Sequence, residues 1–512
     1  MLTRLKVSGF KNLVDVDVRF GPFTCIAGPN GSGKSNLFDA IHFLSALADH
    51  SLIDAAMSVR NDEGGRTADI RSLFHRVGTE YDEVMSFEAE MIVPRQAQDD
   101  RGQQATASIT FLKYSLELSY RADEGQFSLG SLEVIRAELK HITKGDAPHH
   151  LLFPHKASPW RKTAVQGERR APYFISTQGA GPNREIKISQ DGGSRGRPIT
   201  IPAVNLPRTV LSTTNAAESP TALVARKEMR SWRLLQLEPS ALRQPDEFRA
   251  TPRLGSDGLL LPATMFRLQR MGTTYDRHPD EGTAARFYSQ VANRLAELID
   301  DVHEVGLERD EKRELLTLYV QSRDGTPHSA RALSDRTLRF LALTVFDLDP
   351  EEQGLLCLEE PENGVHPERI SAMLRLLQDI ATDTEEPIGP DNPLRQVIAN
   401  THSPAVVLQV PDDSLLVAEL REAIRDEQVF KHVRLSSLPD TWRAKHGGPE
   451  ISKGKLLAYL NSALIGIDAS GNGRQAHRVM DRPDLEPLLP FAELLHERNS
   501  VESVMKAYGP TS

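Results

Sequence analysis

The chain has 512 residues, of which 39% are hydrophobic and 26% charged, with 61 Lys+Arg against 71 Asp+Glu and a net charge of −10. That length predicts about three domains' worth of core, and the composition excludes wholesale disorder. No apolar run approaches the ~18 residues of a membrane span, the charged start MLTRLKVSGF is no signal peptide, and two cysteines build no disulfide framework, so a cytoplasmic chain without membrane contact is expected.

Residues 1–27 alternate as β-structure (LTRLKVSGF, LVDVDVRF) and end in the buried run FTCIAG. Next, Gly28-Pro29-Asn30-Gly31-Ser32-Gly33-Lys34-Ser35 satisfies GxxxxGK[ST] between that strand and a helix through NLFDAIHFLSAL. Its glycines let successive backbone N–H groups converge on a polyphosphate, and the helix dipole adds to the attraction. Lys34 would reach the β- and γ-phosphates, and the Ser35 hydroxyl would take one Mg²⁺ position. Asn30, Gly31, Ser32, Gly33, Lys34, Ser35 and Asn36 are therefore the candidate ATP contacts. Residues 86–93 and 106–120 alternate again, so 1–140 reads as a β-rich half around one helix.

From 141 to 205 the pattern breaks into Pro, Gly, His and basic residues, a basic and partly flexible insert. Between 144 and 197 ten basic residues face four acidic ones, a local +6 that leaves −16 on the remainder. Trp160, Tyr173 and Phe174 interleave with Arg161, Lys162, Arg169 and Arg170, a mixture that suits phosphate contact with base stacking. A solvated loop, or a surface for an acidic partner, would use the same residues. Helical periodicity at 218–242 and 283–304 marks a helical lobe over 206–310.

Within 311–410, a strand at 311–321 meets the turn pair Asp324-Gly325. A helix capped by Ser334 in LSDRTLR follows, then the strand GLLCLEE, a helix from Pro367 and the strand QVIANTHSP. Glu359 and Glu360 end an apolar strand, where one acid could hold a metal and the other orient an attacking water. The same pattern suits a strand leading into a solvated acidic turn. His402 reads either as a phosphate sensor or as a structural residue, and Ser334 either as an anion site or as an ordinary cap. Residues 411–512 are mixed and carry DASGNGRQ; Asp468, Asp481 and Asp484 do not make the acidic set of a metal-dependent nuclease.

In chain order, the phosphate loop, LSDRTLR, LLCLEEPENGVHP and THSP resemble ABC-class ATPases of the RecF/SMC/OLD group. They are more closely similar to the stand-alone AAA family ATPases of bacteria and archaea, many of which belong to antiphage defence systems. LKVSGFKNL, GKSNLFDAI and LGSDGLLLP add to a likeness that covers 1–140 and 205–410. It implies an α/β P-loop NTPase of ABC type: a mixed sheet core with helices, an antiparallel β lobe, a large insertion and a C-terminal α/β extension over 411–512. It also implies a homodimer or higher oligomer whose heads close face to face on ATP and Mg²⁺. In that likeness Glu359 is the metal-side acid beside Ser35, Glu360 the water-orienting carboxylate and His402 the switch histidine. Ser334 then acts in trans, and Lys11 lies near the nucleotide. Three departures stand out: Glu359 where Asp is usual, Arg336 where Gly is usual, and no Q-loop glutamine distinguished among Gln96, Gln98, Gln103 and Gln104. The implied function is an ATP-driven switch in antiphage defence or DNA surveillance that controls an effector such as a nuclease. The alternative is a RecF-like repair ATPase that binds DNA itself, through 144–197.

Overall fold

The structure, a computed structural model, describes residues 1–60, 69–122, 130–191, 197–250, 253–271, 281–299 and 301–452, with Gly454 and Leu456. Its core is a six-stranded sheet ordered Arg233–Leu235, Gly354–Glu359, Arg395–Thr401, Phe23–Ala27, Leu415–Arg425 and Gln428–Ser437. The first five strands pair in parallel, and the last closes an antiparallel hairpin. A parallel sheet covered on both faces needs apolar runs rather than alternation, and FTCIA, GLLCL and RQVIANT are buried almost throughout.

Alternate residues of these runs feed two separate cores, because side chains on a strand point to opposite faces. Ile26, Leu355, Cys357 and Ile398 face the first core; Cys25, Leu356, Leu358, Val397 and Ala399 face the second. Both cysteines are unbridged packing residues, and burial pushes their thiols up.

The first core holds the helix Lys34–Leu47, which lies between the core sheet and a large antiparallel sheet and is apolar nearly all round for that reason. Phe43 from this helix meets Phe10 at 5.8 Å and Phe87 at 5.7 Å between ring centroids, which locks helix to sheet. The antiparallel sheet has eight strands, ordered Ile199–Pro202, Glu185–Ile188, Tyr173–Gln178, Ser131–His141, Phe111–Arg121, Val84–Ile92, Leu2–Ser8 and Val16–Arg19. The second core is helical: Leu261–Met271, Glu281–Ala296, Asp335–Leu348 and Ile370–Ile380 pack beneath the core sheet. Among the described residues no helix is long and apolar enough to cross a membrane.

Four stretches differ from what the sequence predicts. The segment 141–205 is not an irregular insert: it supplies the three outer strands of the antiparallel sheet. Its strands are only four to six residues long and are separated by loops, so alternation is too brief to register. Trp160 is 0% and Phe174 1% exposed, so neither is available for base stacking, and only Tyr173 of the three aromatics is exposed. Much of the basic charge is spent internally as well. Arg184 pairs with Glu133 at 2.9 Å and Lys156 with Glu385 at 2.6 Å, while Arg169 lies 4.1 Å over the Phe174 ring. Arg195 falls outside the described residues.

The helical stretch 218–242 breaks after Pro220–Arg230, and Arg233–Leu235 becomes the edge strand of the core sheet. Likewise 283–304 ends as a helix at Ala296, and Glu304–Asp310 joins a small antiparallel sheet with Leu315–Gln321. Finally, Leu415–Ser437, placed beyond residue 410 as an extension, completes the core sheet beside the phosphate-loop strand. Asp468, Asp481, Asp484 and the glycine-rich 468–475 lie outside the described residues.

Glu352 ties the edge strand to the core. It is 2% exposed and accepts from Arg233 Nη1 and Arg253 Nε, each at 2.9 Å, while its carbonyl accepts from Arg395 Nε at 2.7 Å. Burial raises its carboxyl and the two arginines outweigh that, holding it below the usual range. The Arg253 side chain is 60% exposed, so Arg233 carries most of the pair. Glu352→Ala is expected to cost about 2 kcal/mol in urea unfolding. Because a lowered carboxyl contributes its full stabilisation above its unfolded value near 4.3 and loses it as pH falls from there through the lower folded value, the gap between wild type and variant should narrow progressively below about pH 4.

Candidate functional site

The strand Phe23–Ala27 delivers its chain to a loop tied to the neighbouring strand by Gly28 N–H donating to Thr401 O at 3.1 Å. Gly31 and Gly33 hold left-handed φ of 76° and 94°, which only glycine adopts readily. At Gly33 a side chain would also strike Asn12, 2.6 Å away. Gly33 opens the helix Lys34–Leu47 with no side-chain cap, the arrangement that leaves a helix N-terminus to an anion. Ser32 Oγ is buried without a partner in the loop's interior. Lys34 Nζ donates to the loop's own carbonyls, Gly28 at 2.6 Å and Pro29 at 2.9 Å. Burial lowers the Lys34 ammonium, and Glu360, Glu362 and Glu359 oppose that shift.

Opposite the loop, Glu359 ends its strand in register with Asn400. Glu360 takes a φ of 46°, a strained value for a side-chain-bearing residue, and its N–H is held by Asn400 O at 3.1 Å and Asn400 Oδ1 at 3.0 Å. That turn aims the Glu360 carboxylate at two partners. His402 Nδ1 lies 2.6 Å from one oxygen, and Asn363 Nδ2 donates to the other at 2.9 Å. Glu362 is buried, accepts from the Thr401 hydroxyl and keeps a second oxygen without a partner; burial raises its carboxyl.

Glu359 is held from three sides. Arg60 donates to both its oxygens, Nη1 at 2.7 Å and Nη2 at 3.2 Å, and Gln236 Nε2 lies at 3.3 Å, with the Ser35 side chain also in hydrogen-bonding contact. Burial raises the Glu359 carboxyl, and the Arg60 guanidinium outweighs it and keeps it ionised.

The result is a cleft of about 490 Å³ lined by Asn30 through Asn36, Glu359, Glu360, Asn363 and Asn400. It gathers every predicted phosphate-loop contact and both glutamates, with His402 reaching in through Glu360. Ser334 is elsewhere. It caps the helix Asp335–Leu348, accepting from Thr337 N–H at 3.1 Å, and does not line this cleft. The same helix does border the acids from the far side, through Arg339 and Leu343 in a second recess of about 250 Å³. Arg336, near the start of that helix, buries its Nε without a partner. Lys11 does not line the cleft; it donates to Asp39 at 2.7 Å and to the Arg60 carbonyl at 2.6 Å. Gln96, Gln98 and Gln104 belong to a small hairpin, and none of the four glutamines considered lines the cleft. Gln236, at the end of the edge strand, is the glutamine that touches Glu359.

The donor set fits a metal carried by a nucleotide. Ser35 and Glu359 make a two-donor half-site, and among the described residues no group of three His, Cys, Asp or Glu could hold an ion alone. A hard divalent cation here needs phosphate oxygens to complete its shell. Arg60, Gln236, Asn363 and Asn400 carry no sequence signature. The three-residue strand before Gln236 is too short to show periodicity, and Arg60 follows an unremarkable short helix.

Residues 213–408 match the family described as AAA domain, putative AbiEii toxin, Type IV TA system. Residues 1–112 match the RecF/RecN/SMC N terminal domain. Over 64 residues the chain is 41% identical to the DNA replication and repair protein RecF of Porphyromonas gingivalis, covering 12% of this chain and 18% of that protein. Over 41 residues it is 51% identical to the OLD nuclease of Thermus scotoductus, 8% of either chain. The chain thus matches less than a fifth of the length of these relatives. The SMC head bound to the C-winged helix domain of ScpA is similar at 11% identity with a TM-score of 0.41, over 85% of this chain and 98% of that one. The SMC head of Thermotoga maritima covers the same shares at a TM-score of 0.34. One family match carries the phosphate loop and the other carries both glutamates and the histidine, and the fold closes them on a single cleft: the chain is an ABC-type P-loop ATPase, similar to the RecF/SMC/OLD group over those two matched segments.

Proposed function

We propose that this cleft binds Mg–ATP and hydrolyses it slowly, as a switch. The observation that supports this best is the Glu360 carboxylate, fixed at both oxygens by His402 and Asn363 across from an uncapped phosphate loop. Lys34 leaves the loop carbonyls to meet the β- and γ-phosphates, and the Gly31–Lys34 backbone receives the rest of the charge. The metal, when bound, neutralises the phosphates' charge, and Ser35 and Glu359 are the residues that would hold it. Glu360 orients the water and takes its proton as the water oxygen bonds to the γ-phosphorus and the bond to the bridging oxygen breaks. His402 and Asn363 keep that carboxylate from swinging away. Gln236, touching Glu359, reports the metal position to the edge strand.

Two heads closing on ATP would bring Ser334 of each to the other's nucleotide. Its exposed place at a helix start, outside its own cleft, supports that role. The head then takes in 1–140, the edge strand Arg233–Leu235 and 311–437, with the other strands and helices between them as insertions. The match to a family described as putative AbiEii toxin, Type IV TA system, supports a defence role in which the ATP-closed dimer controls an effector, such as a nuclease. Differential stability of the open and closed dimers carries the signal.

Isothermal titration should show Lys34→Ala losing ATP binding, since the loop loses the cation that would meet the β- and γ-phosphates. Glu360→Gln should retain ATP binding, lower turnover by about 10²–10⁴-fold and raise the dimer fraction seen by native mass measurement with ATP. Unchanged turnover and dimerisation in Glu360→Gln would sink the role assigned to that residue.

A second reading, a repair ATPase that binds DNA, draws on the likeness of the first 112 residues to the RecF/RecN/SMC N terminal domain. Lys162, Arg170 and Arg197 remain exposed in the basic segment. On this reading, neutralising all three weakens binding to gapped duplex and flattens its salt dependence by about one unit per lost phosphate contact. Identical affinity and slope would remove this segment as the DNA site.

A further inference from the structure

Among the described residues Arg60 is the one cation that grips the metal-side acid, and nothing in the proposed hydrolysis uses it. Its planar guanidinium meets Glu359 as a two-pronged fork, Nη1 to Oε2 at 2.7 Å and Nη2 to Oε1 at 3.2 Å. Nη2 also lies 3.4 Å from the Ser35 carbonyl, so the charge sits between the two side chains' residues that the metal would share. The third face of the guanidinium, Nε, donates to Asp39 at 2.9 Å. Asp39 is buried and is gripped from its other side by Lys11, whose ammonium also holds the Arg60 carbonyl at 2.6 Å.

We propose that Arg60 is a built-in stand-in for the divalent cation, and that loading of the metal–nucleotide requires its fork to leave Glu359 while Asp39 keeps hold of it. The inference rests on the reading of Glu359 as the metal-side acid. A carboxylate whose two oxygens are both engaged by one guanidinium has given up its bidentate face and much of its negative potential to that cation, and a second cation on the same carboxylate is repelled by the first. The stand-in therefore does two things. It satisfies a half-buried acid while the cleft is empty, which spares the fold an unpaired charge. It also sets a threshold, because the metal must outcompete a bidentate ion pair before the site is complete. The Lys11–Asp39 bracket makes the exchange reversible: it anchors the Arg60 backbone and its Nε, so only the two Nη prongs need to move.

The test is metal affinity rather than turnover. Full-length chain saturated with the slowly hydrolysed analogue ATPγS is titrated with Mn²⁺ and free ion is read by electron paramagnetic resonance. Arg60→Ala should tighten Mn²⁺ binding by about tenfold, the worth of a charge-assisted pair. Arg60→Lys, which keeps the charge but not the fork and preserves contact with Asp39, should tighten it by less. Glu359→Gln should weaken Mn²⁺ in either background. If Glu359→Gln weakens the metal but both Arg60 variants leave it unchanged or weaker, Arg60 is no competitor and the inference falls, while Glu359 keeps its assignment. If Glu359→Gln changes nothing, Glu359 is not the metal-side acid and both readings fall together.

Discussion

The chemistry of this chain depends on a parallel register, in which Ala27 lies against Thr401 and Asn400 against Glu359. Those pairings bring three strand ends to one level, so that the phosphate loop, the glutamates and the histidine emerge side by side, although 326 residues separate Lys34 from Glu360. Sites of open α/β sheets lie beyond the carboxyl ends of strands for this reason. The register is well specified because the strands are buried on both faces and each face belongs to a different core. A slip of one residue would send Ile398 into the helical core and Val397 against the Lys34–Leu47 helix, exchanging two differently shaped sets of neighbours.

Around that register the electrostatics are built to want cations. Glu359, Glu360 and Glu362 crowd Lys34, and each carboxylate is treated differently. Glu359 is kept ionised by Arg60, Glu360 is clamped by a histidine and an amide, and Glu362 is pushed by burial toward its neutral form. Adjacent acids with distinct environments can take distinct roles. The strained backbone at Glu360 belongs to the same design. Its left-handed turn brings to one cleft two neighbouring carboxylates that an extended strand would have pointed to opposite faces.

The large antiparallel sheet plays a supporting part. It covers one face of the phosphate-loop helix, and its outer strands absorb the basic segment that composition alone had made a candidate nucleic-acid surface. Trp160 and Phe174 show why composition misleads there: an aromatic among arginines reads as a stacking platform, yet both rings are core and one arginine merely lies across its ring.

What the sequence determined unaided was local. The phosphate loop, the apolar strand ending in Glu359-Glu360 and the strand ending before His402 all carry their signals in contiguous residues, and so does the Ser334 cap. Tertiary structure alone decided what meets what. Arg60 and Gln236 converge on Glu359 from elements 299 and 123 residues away, with no local pattern to announce them. Asn363 becomes a clamp only because the turn after Glu360 folds back on itself. Leu415–Arg425 joins the core sheet only because Phe23–Ala27 offers it an edge. Short strands, single long side chains and edge pairings cost and gain their free energy through distant partners, and that part of the information is written in the packing.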